Sequence, residues 1–277
     1  MADTAFQTMY RQEFISGFEQ RQSLLRKTCT TEADINGNTA VFLVADSGSA
    51  SAVTRGSNGL IPGRADNLTQ NSCTLVEWHD KPVRTGFNLY ASQGDGRRIM
   101  QETTMGVLNR KVDSDIIAQL DTATQDTGAT QTGSLSLVMY AKTILGNNDV
   151  ENDGNIFAVI TPAFEAYLMQ TKEFASADYV SNKKFEMQNG SYFKWAGVNF
   201  IVSTRLTGKG TSSESCYMYH KSAIGHACDT ERLSVTPGYV EEHAYSFCLA
   251  TGYFGSKLLQ NSGIVKMVHD GSAFTAQ

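Results

Sequence analysis

Lysine is missing from the whole stretch between Lys27 and Lys81. An amide cross-link that needs a side-chain amine therefore cannot start there. Charge is sparse throughout: Asp, Glu, Lys and Arg make up 18% of the 277 residues, where about a quarter is usual. A chain so short of surface charge commonly hides much of its surface against partners. The charge that is present is acidic, net −5, which argues against a tight nucleic-acid binder with a basic face. Cys29, Cys73, Cys216, Cys228 and Cys248 are odd in number, and no two stand in a Cys-x-x-Cys. That excludes a disulfide framework and a zinc ribbon and fits a reducing compartment. No run approaches the roughly 18 apolar residues of a membrane helix, so no membrane partner is expected. Met1 to Tyr10 lacks the basic start and apolar stretch of a signal peptide.

What is present is an unusual extended segment. From Asp34 to about Asp80 an apolar run, Ala40 to Ala45 (AVFLVA), gives way to SGSASAVTRGSNGLIPGRADNLTQNS and closes on Cys73 to Trp78 (CTLVEW). The two runs predict strands, and the middle is too polar and too rich in Gly and Ser to fold on itself. Compact domains rarely carry so long a connection without a use for it. A two-stranded arm is marginal alone in water but makes sense laid on a second copy of the chain.

The rest of the chain, 41% apolar, can build a substantial core. Phe6, Met9, Tyr10, Phe14, Phe18 and Leu24 or Leu25 recur at helical spacing, predicting an arm helix over Thr4 to Lys27. KPVRTGFNLY reads as a strand entered through Pro82. A long helix is expected from about Gly96 to Thr124, with Ile99, Met105, Leu108, Val112, Ile116 and Leu120 on one stripe and Gln101, Arg110, Asp113 and Gln119 opposite. On that phase Ile116→Asp should abolish folding and Asp113→Ala should be mild. Further on, the spacing predicts a helix from Ser134 to Leu145 stopped at Gly146, and a buried strand over Asn155 to Ile160. A helix follows, capped by Thr161 with Pro162 in its first turn. Strand regions are expected at Trp195 to Ser203, Ser215 to His220 and Ile264 to Val268, and a strand or helix at Ala244 to Gly252. Strands and helices mix without a strict alternation, which points to an α+β fold.

Motifs for chemistry are incomplete. Gly94-Asp95-Gly96 lacks the third glycine of a dinucleotide fingerprint and reads as a helix-opening turn. Gly208-Lys209-Gly210 has Gly where a phosphate loop needs Ser or Thr after the lysine. Asp149, Glu151 and Asp153 before Gly154 resemble the start of a calcium loop, but Ile160 stands where its bidentate Glu belongs. A solvated loop is the stronger reading there, a weak surface cation site the lesser. His79, His220, His226, His243 and His269 form no metal spacing, and no serine sits in a Gly-x-Ser-x-Gly elbow. The expectation is no catalytic residue, no cofactor and no metal. Cys29 and Cys73 read as buried small apolar residues, or else as exposed thiols able to pair between subunits.

The order of the parts resembles a tailed-phage major capsid protein of the Hong Kong 97 fold. The resemblance is carried by VLNRKVDSDIIAQL, NIFAVITPAFEAYLMQ, WAGVNFIVSTRL and YMYHKSAIGHA in that order. It implies an N-terminal arm (1–34), an extended β-hairpin loop (35–80), a peripheral domain with a spine helix (81–131), an axial domain (132–225) and a return to the peripheral domain (226–277). It further implies non-enzymatic assembly into pentamers and hexamers of an icosahedral head around double-stranded DNA. The expected partners are further copies of the chain, other head proteins such as a portal, and a separate scaffold or decoration protein, with only weak non-specific DNA contact. The implied location is the virion, assembled in the host cytoplasm. Two departures matter: the loop has no lysine for the cross-link of the family's type member, and no long charged helical extension precedes the arm, so no built-in scaffold is expected. The rivals are an encapsulin-like compartment of the same fold, which would hold a cargo peptide, and a stand-alone α+β hydrolase, which would need a pocket of converging acid, base and nucleophile.

Overall fold

The computed structural model describes residues 20–32, 35, 37–47, 50–64, 67–86, 96–172 and 193–274. The strands are β1 (Thr30–Glu32), β2 (Thr39–Asp46), β3 (Asn67–Thr74), β4 (Val76–Asp80), β5 (Val83–Thr85), β6 (Gln131–Thr132), β7 (Ile156–Ile160), β8 (Phe193–Trp195), β9 (Val198–Val202), β10 (Glu214–His220), β11 (Ile224–Val240), β12 (Tyr245–Leu258) and β13 (Ile264–Asp270). The described helices are α1 (Gly96–Leu120), α2 (Leu135–Asn147) and α3 (Pro162–Met169). The chain divides into two compact units. One holds Glu77–Lys111 and Asp229–Tyr253 with the end of Met1–Ser23; the other holds Leu24–Val76, Val112–Cys228 and Phe254–Gln277.

The larger unit is built on a six-stranded sheet in the order β6-β13-β10-β7-β9-β8. The IFAVI run of β7 is buried at every position, so it lies at the centre of this mixed sheet, parallel to β9 and antiparallel to β10. Helix α2 packs on β13 and β10. Ser134 caps it by accepting the Leu137 N–H. Gly146 does not stop it: the helix runs to Asn147, and Asn148 closes it by donating to the Gly146, Ile144 and Leu145 carbonyls. Helix α3 starts as its sequence predicts, with Thr161 accepting the Phe164 N–H and Pro162 in the first turn, where its missing donor costs nothing.

In the smaller unit, β5 pairs antiparallel with β12 through Val83↔Phe247. The Lys81 ammonium sits 4.5 Å from the Phe247 ring centre and the Lys111 ammonium 3.9 Å from the Trp78 ring centre. An apolar cavity of about 230 Å³ is lined by Met100, Pro237, Tyr239, Phe247 and Cys248. KPVRTGFNLY forms strand only over Val83–Thr85 among its described residues.

Three expectations are corrected. Most of the predicted arm helix, 4–19, lies outside the described residues. From Gln20 onward the chain is not α-helical; it forms a loop and a single 3₁₀ turn, Arg26–Thr28. The reason is Asp113, whose carboxylate takes the N–H groups of Leu24 and Leu25, each at 3.1 Å. Asp113 is thus not on a polar face; it is 1% exposed, on the stripe with Ile116, Ile117 and Leu120. Finally, the run from Cys73 to Trp78 is not one strand, since β3 ends at Thr74 and β4 begins at Val76.

Candidate assembly surface

The extended segment folds back as an eight-residue antiparallel ribbon, β2 on β3, in register from Thr39↔Thr74 to Asp46↔Asn67. Side chains directly opposite each other share a face. One face carries Ala40 with Cys73, Phe42 with Asn71, and Val44 with Thr69. At the base this face enters a cluster of Ala40, Phe42, Cys73 and Ala227, against which Ile35, Leu75 and Leu259 pack. Two glycines permit the approach: a Cβ on Gly225 would lie 2.8 Å from the Phe42 ring, and one on Gly255 would lie 2.6 Å from the Thr74 carbonyl oxygen.

The opposite face carries Val41, Leu43, Ala45 and Leu68, all exposed, with Leu43 at 76% and Leu68 at 71%. Neither 39–45 nor 67–74 contains a charged residue. The β2–β3 ribbon is a two-stranded sheet, so among the described residues each strand has one edge that pairs with no other strand. A groove of about 460 Å³ runs along β2 beside Thr30, Ser222 and Leu259. Beyond the ribbon, the described residues 50–64 are exposed throughout, and Leu60 and Ile61 present 69% and 66% of their surface. A turn at Gly56–Gly59 shapes that tip, with Gly56 donating to the Leu60 carbonyl and Gly59 at φ +79°. Alternating apolar residues usually mark one buried face and one wet face. Here the run AVFLVA is apolar on both.

The positions weighed for chemistry are placed as follows. Gly96 opens α1, while Gly94 and Asp95 lie outside the described residues. Gly208 and Gly210 adopt φ +76° and +81° in a tight turn, and the Gly210 N–H donates to Glu214 Oε1 at 2.6 Å. Asp153 accepts from the Asn155 backbone and side-chain amides at 2.9 and 2.6 Å, and these bonds, with His220 beside it, hold its carboxyl down near 2. His220 has Asp153 3.1 Å from its Nε2. Among the described residues no group of three or more His, Cys, Asp or Glu is gathered to hold a metal. His79 lies 3.1 Å from Glu77, and His243 stacks on Tyr245. All five cysteines are buried and none forms a disulfide.

Sequence reasoning missed a buried polar pair. Glu214 and His269 are cross-strand partners and both 0% exposed, with His269 Nε2 3.7 Å from Glu214 Oε2. Thr161 donates to the same oxygen at 2.5 Å. The Phe164 and Tyr167 rings meet the imidazole edge-on or T-shaped at 4.9 and 5.5 Å. Burial pushes the His269 pKa down, with Glu214 opposing. Both Glu214 oxygens are spent on local donors, Oε1 on the Gly210 N–H and Oε2 on the Thr161 hydroxyl, which ties β10 to the start of α3, while the buried His269 ring nitrogens have no hydrogen-bond partner among the described residues.

Known proteins resemble this chain over nearly its whole length. A family model described as phage capsid protein matches residues 2–270. A structure of Mycobacterium phage Che8 is similar over 96% of this chain and 98% of its own, with 15% identity and a TM-score of 0.77. The capsid structure of cyanophage P-SCSP1u is similar over 96% and 93%, with 14% identity and a TM-score of 0.74. A virus-like particle from Pyrococcus furiosus is similar at a TM-score of 0.59 and 13% identity, over 89% of this chain and 92% of its own. No curated protein sequence matches the chain.

Proposed function

This chain belongs to the phage capsid protein family and has the Hong Kong 97-type fold, and from that premise we propose that it is the major coat subunit of an icosahedral tailed-phage head. The observation that carries the reading is the ribbon β2–β3, whose uncharged face with Leu43 and Leu68 is exposed among the described residues. The subunit's working chemistry is then non-covalent burial. At about 25 cal/mol per Å², even a few hundred Å² of apolar surface covered at each contact contributes several kcal/mol. In this reading the chain divides into arm (1–34), extended loop (35–80), peripheral domain with spine helix α1 (81–131), axial domain (132–225) and return to the peripheral domain (226–277). Pentamers and hexamers enclose double-stranded DNA, with a portal and a separate scaffold or decoration protein as further partners. Assembly takes place in the host cytoplasm, and the chain performs no catalysis.

Size-exclusion chromatography with light scattering tests this. Capsomers or closed shells are expected, and a strict monomer at high concentration under assembly conditions contradicts it. A cargo-holding compartment would use the same fold; shells that co-purify with one enzyme in place of DNA and head proteins would favour that rival.

A further inference from the structure

Strand β10 ends at His220, where the chain passes into a single 3₁₀ turn, Lys221–Ala223. The antiparallel register sets His220 opposite Ile156, the first residue of β7. The loop that leads into β7 therefore arrives beside the end of β10. The Lys221 N–H fastens it there by donating to the Asn155 carbonyl at 3.0 Å. This junction brings Asp153, His220 and Ser222 together. Asp153 Oδ1 lies 3.1 Å from His220 Nε2, and His220 Nδ1 lies 2.8 Å from the Ser222 hydroxyl.

The hydrogen bonds fix which ring nitrogen carries the proton. The Ser222 backbone N–H, which can only donate, points at Nδ1 at 3.3 Å. Nδ1 is then the acceptor, and the proton of the neutral ring sits on Nε2. There it faces Asp153, whose carboxylate is kept ionised by the two Asn155 amide bonds. The Nδ1 lone pair is thus aimed at the Ser222 hydroxyl. Capping the 3₁₀ turn needs only the Ser222 N–H; it asks for neither that hydroxyl nor a carboxylate behind the ring. Carboxylate, imidazole and hydroxyl stand in the order that activates a nucleophilic serine, with the ring used in the opposite sense to the serine-hydrolase triad. The His220 side chain is 15% exposed, while Ser222 is open to solvent. Both line a cavity of about 210 Å³ that Asp149 and Glu151 also border. At about 30 Å³ per water it holds a group of a few heavy atoms, and the two carboxylates disfavour an anionic one.

We propose that Ser222 is an activated nucleophile that takes an acyl group from a small uncharged activated ester, with His220 as its general base and Asp153 as the positioning residue. The Ser222 oxygen bonds to the acyl carbon as the bond from that carbon to the leaving oxygen breaks. The hydroxyl proton passes to Nδ1 and from there to the leaving group. The products are a serine ester and an alcohol. The step is a single modification of the chain, not a turnover, and it stands apart from the coat-subunit reading.

The test is labelling of the full-length protein with an uncharged fluorophosphonate, in which a serine oxygen replaces fluoride on phosphorus, read by mass spectrometry of the tryptic peptide 222–232. Label is expected at Ser222 in folded protein and not in protein unfolded by urea. Ser222→Ala should remove it, and Ser57→Ala, at an exposed loop serine, should leave it unchanged. His220→Ala should slow labelling by about a hundredfold or more. Added imidazole should restore part of that loss, which a merely structural role for the ring would not allow. Asp153→Asn should slow labelling, and Asp153→Glu, which keeps the charge, should recover part of the rate. Circular dichroism checks that each variant is folded. Folded wild-type protein left unlabelled at Ser222, or labelled as fast without His220, would overturn the proposal. So would label spread evenly over the exposed serines.

Discussion

The carboxylate of Asp113 on α1 accepts the backbone N–H of Leu25 at 3.1 Å, joining residues 88 apart in sequence inside the buried core of the larger unit. Its second oxygen takes the Leu24 N–H at the same distance. The turn that follows is tied down again by Thr28, which donates to the Leu25 carbonyl at 2.7 Å and accepts the Tyr219 hydroxyl at 2.6 Å. One side chain therefore fixes where the N-terminal arm meets the spine helix.

Asp113→Ala should for that reason be severe, against the mild effect its polarity suggests. It strands two buried N–H donors, and losing charge-assisted hydrogen bonds of this kind costs about 3 kcal/mol or more. Ile116→Asp, at a side chain with 0% exposure, should abolish folding outright. Urea unfolding followed by circular dichroism checks both, and an Asp113→Ala protein within about 0.5 kcal/mol of wild type would refute the anchoring role.

The two faces of β2 should respond oppositely. Phe42 is 7% exposed in the ribbon's base, and Phe42→Ala should destabilise the subunit by about 3 kcal/mol. Leu43 is 76% exposed, and Leu43→Asp should leave subunit stability within about 0.5 kcal/mol of wild type while preventing stable shells. Unfolding curves and particle counts measured on the same preparations separate the two effects. Normal shells from Leu43→Asp would show that this face stays uncovered.

Acid should weaken the subunit. His226 is 0% exposed on β11. Its Nδ1 lies 3.1 Å from the Ser256 hydroxyl, and its ring lies near Phe254. Burial, helped by Arg26, pushes its pKa down to about 4. The unfolded ring protonates near 6.5, so between those values the unfolded state binds the extra proton. Stability therefore falls as pH drops from about 6.5 to about 4 and levels off below, by about 3 kcal/mol in full. His269, also held down by burial, acts in the same direction. Urea midpoints at pH 7 and pH 4.5 test this, and His226→Gln should flatten the difference. An unchanged pH dependence in that variant would assign the effect elsewhere.

Shells should dissolve into single chains on a denaturing gel. The described loop has no amine to form an amide cross-link, and burial raises Cys29 and Cys216 to about 12 and Cys73 to about 11, which suppresses the reactive thiolate. Protein alkylated on denaturation should run near 30.2 kDa with or without reductant. A ladder that survives reductant would reveal an unrecognised covalent link.

Much of this architecture was legible because local chemistry and tertiary role agree. The NIFAVITP run specifies a buried strand followed by a capped helix, and both form where Thr161 and Pro162 place them. The ribbon was half legible: AVFLVA reads as a strand, but its partner NLTQNSCT is polar and pairs through backbone hydrogen bonds that composition does not reveal. Asp113 was misread because polarity was weighed above phase, although its spacing to Ile116, Ile117 and Leu120 is that of a buried stripe. Strand β11 was missed because Pro237 and Gly238 resemble a turn. Among the described residues β1 pairs with Gly225–Ala227 of β11, well before Pro237, so this pairing asks no N–H of the proline. Gly238 also lets the Phe247 ring approach where a Cβ would come within 2.4 Å. Glu214 carried no signal at all, since a lone glutamate before an apolar strand ordinarily faces water.

Negative-stain imaging of the purified full-length chain, at high concentration under assembly conditions, tests the central claim most directly. The account predicts closed shells of uniform diameter built from capsomers. A field of dispersed single subunits would contradict it.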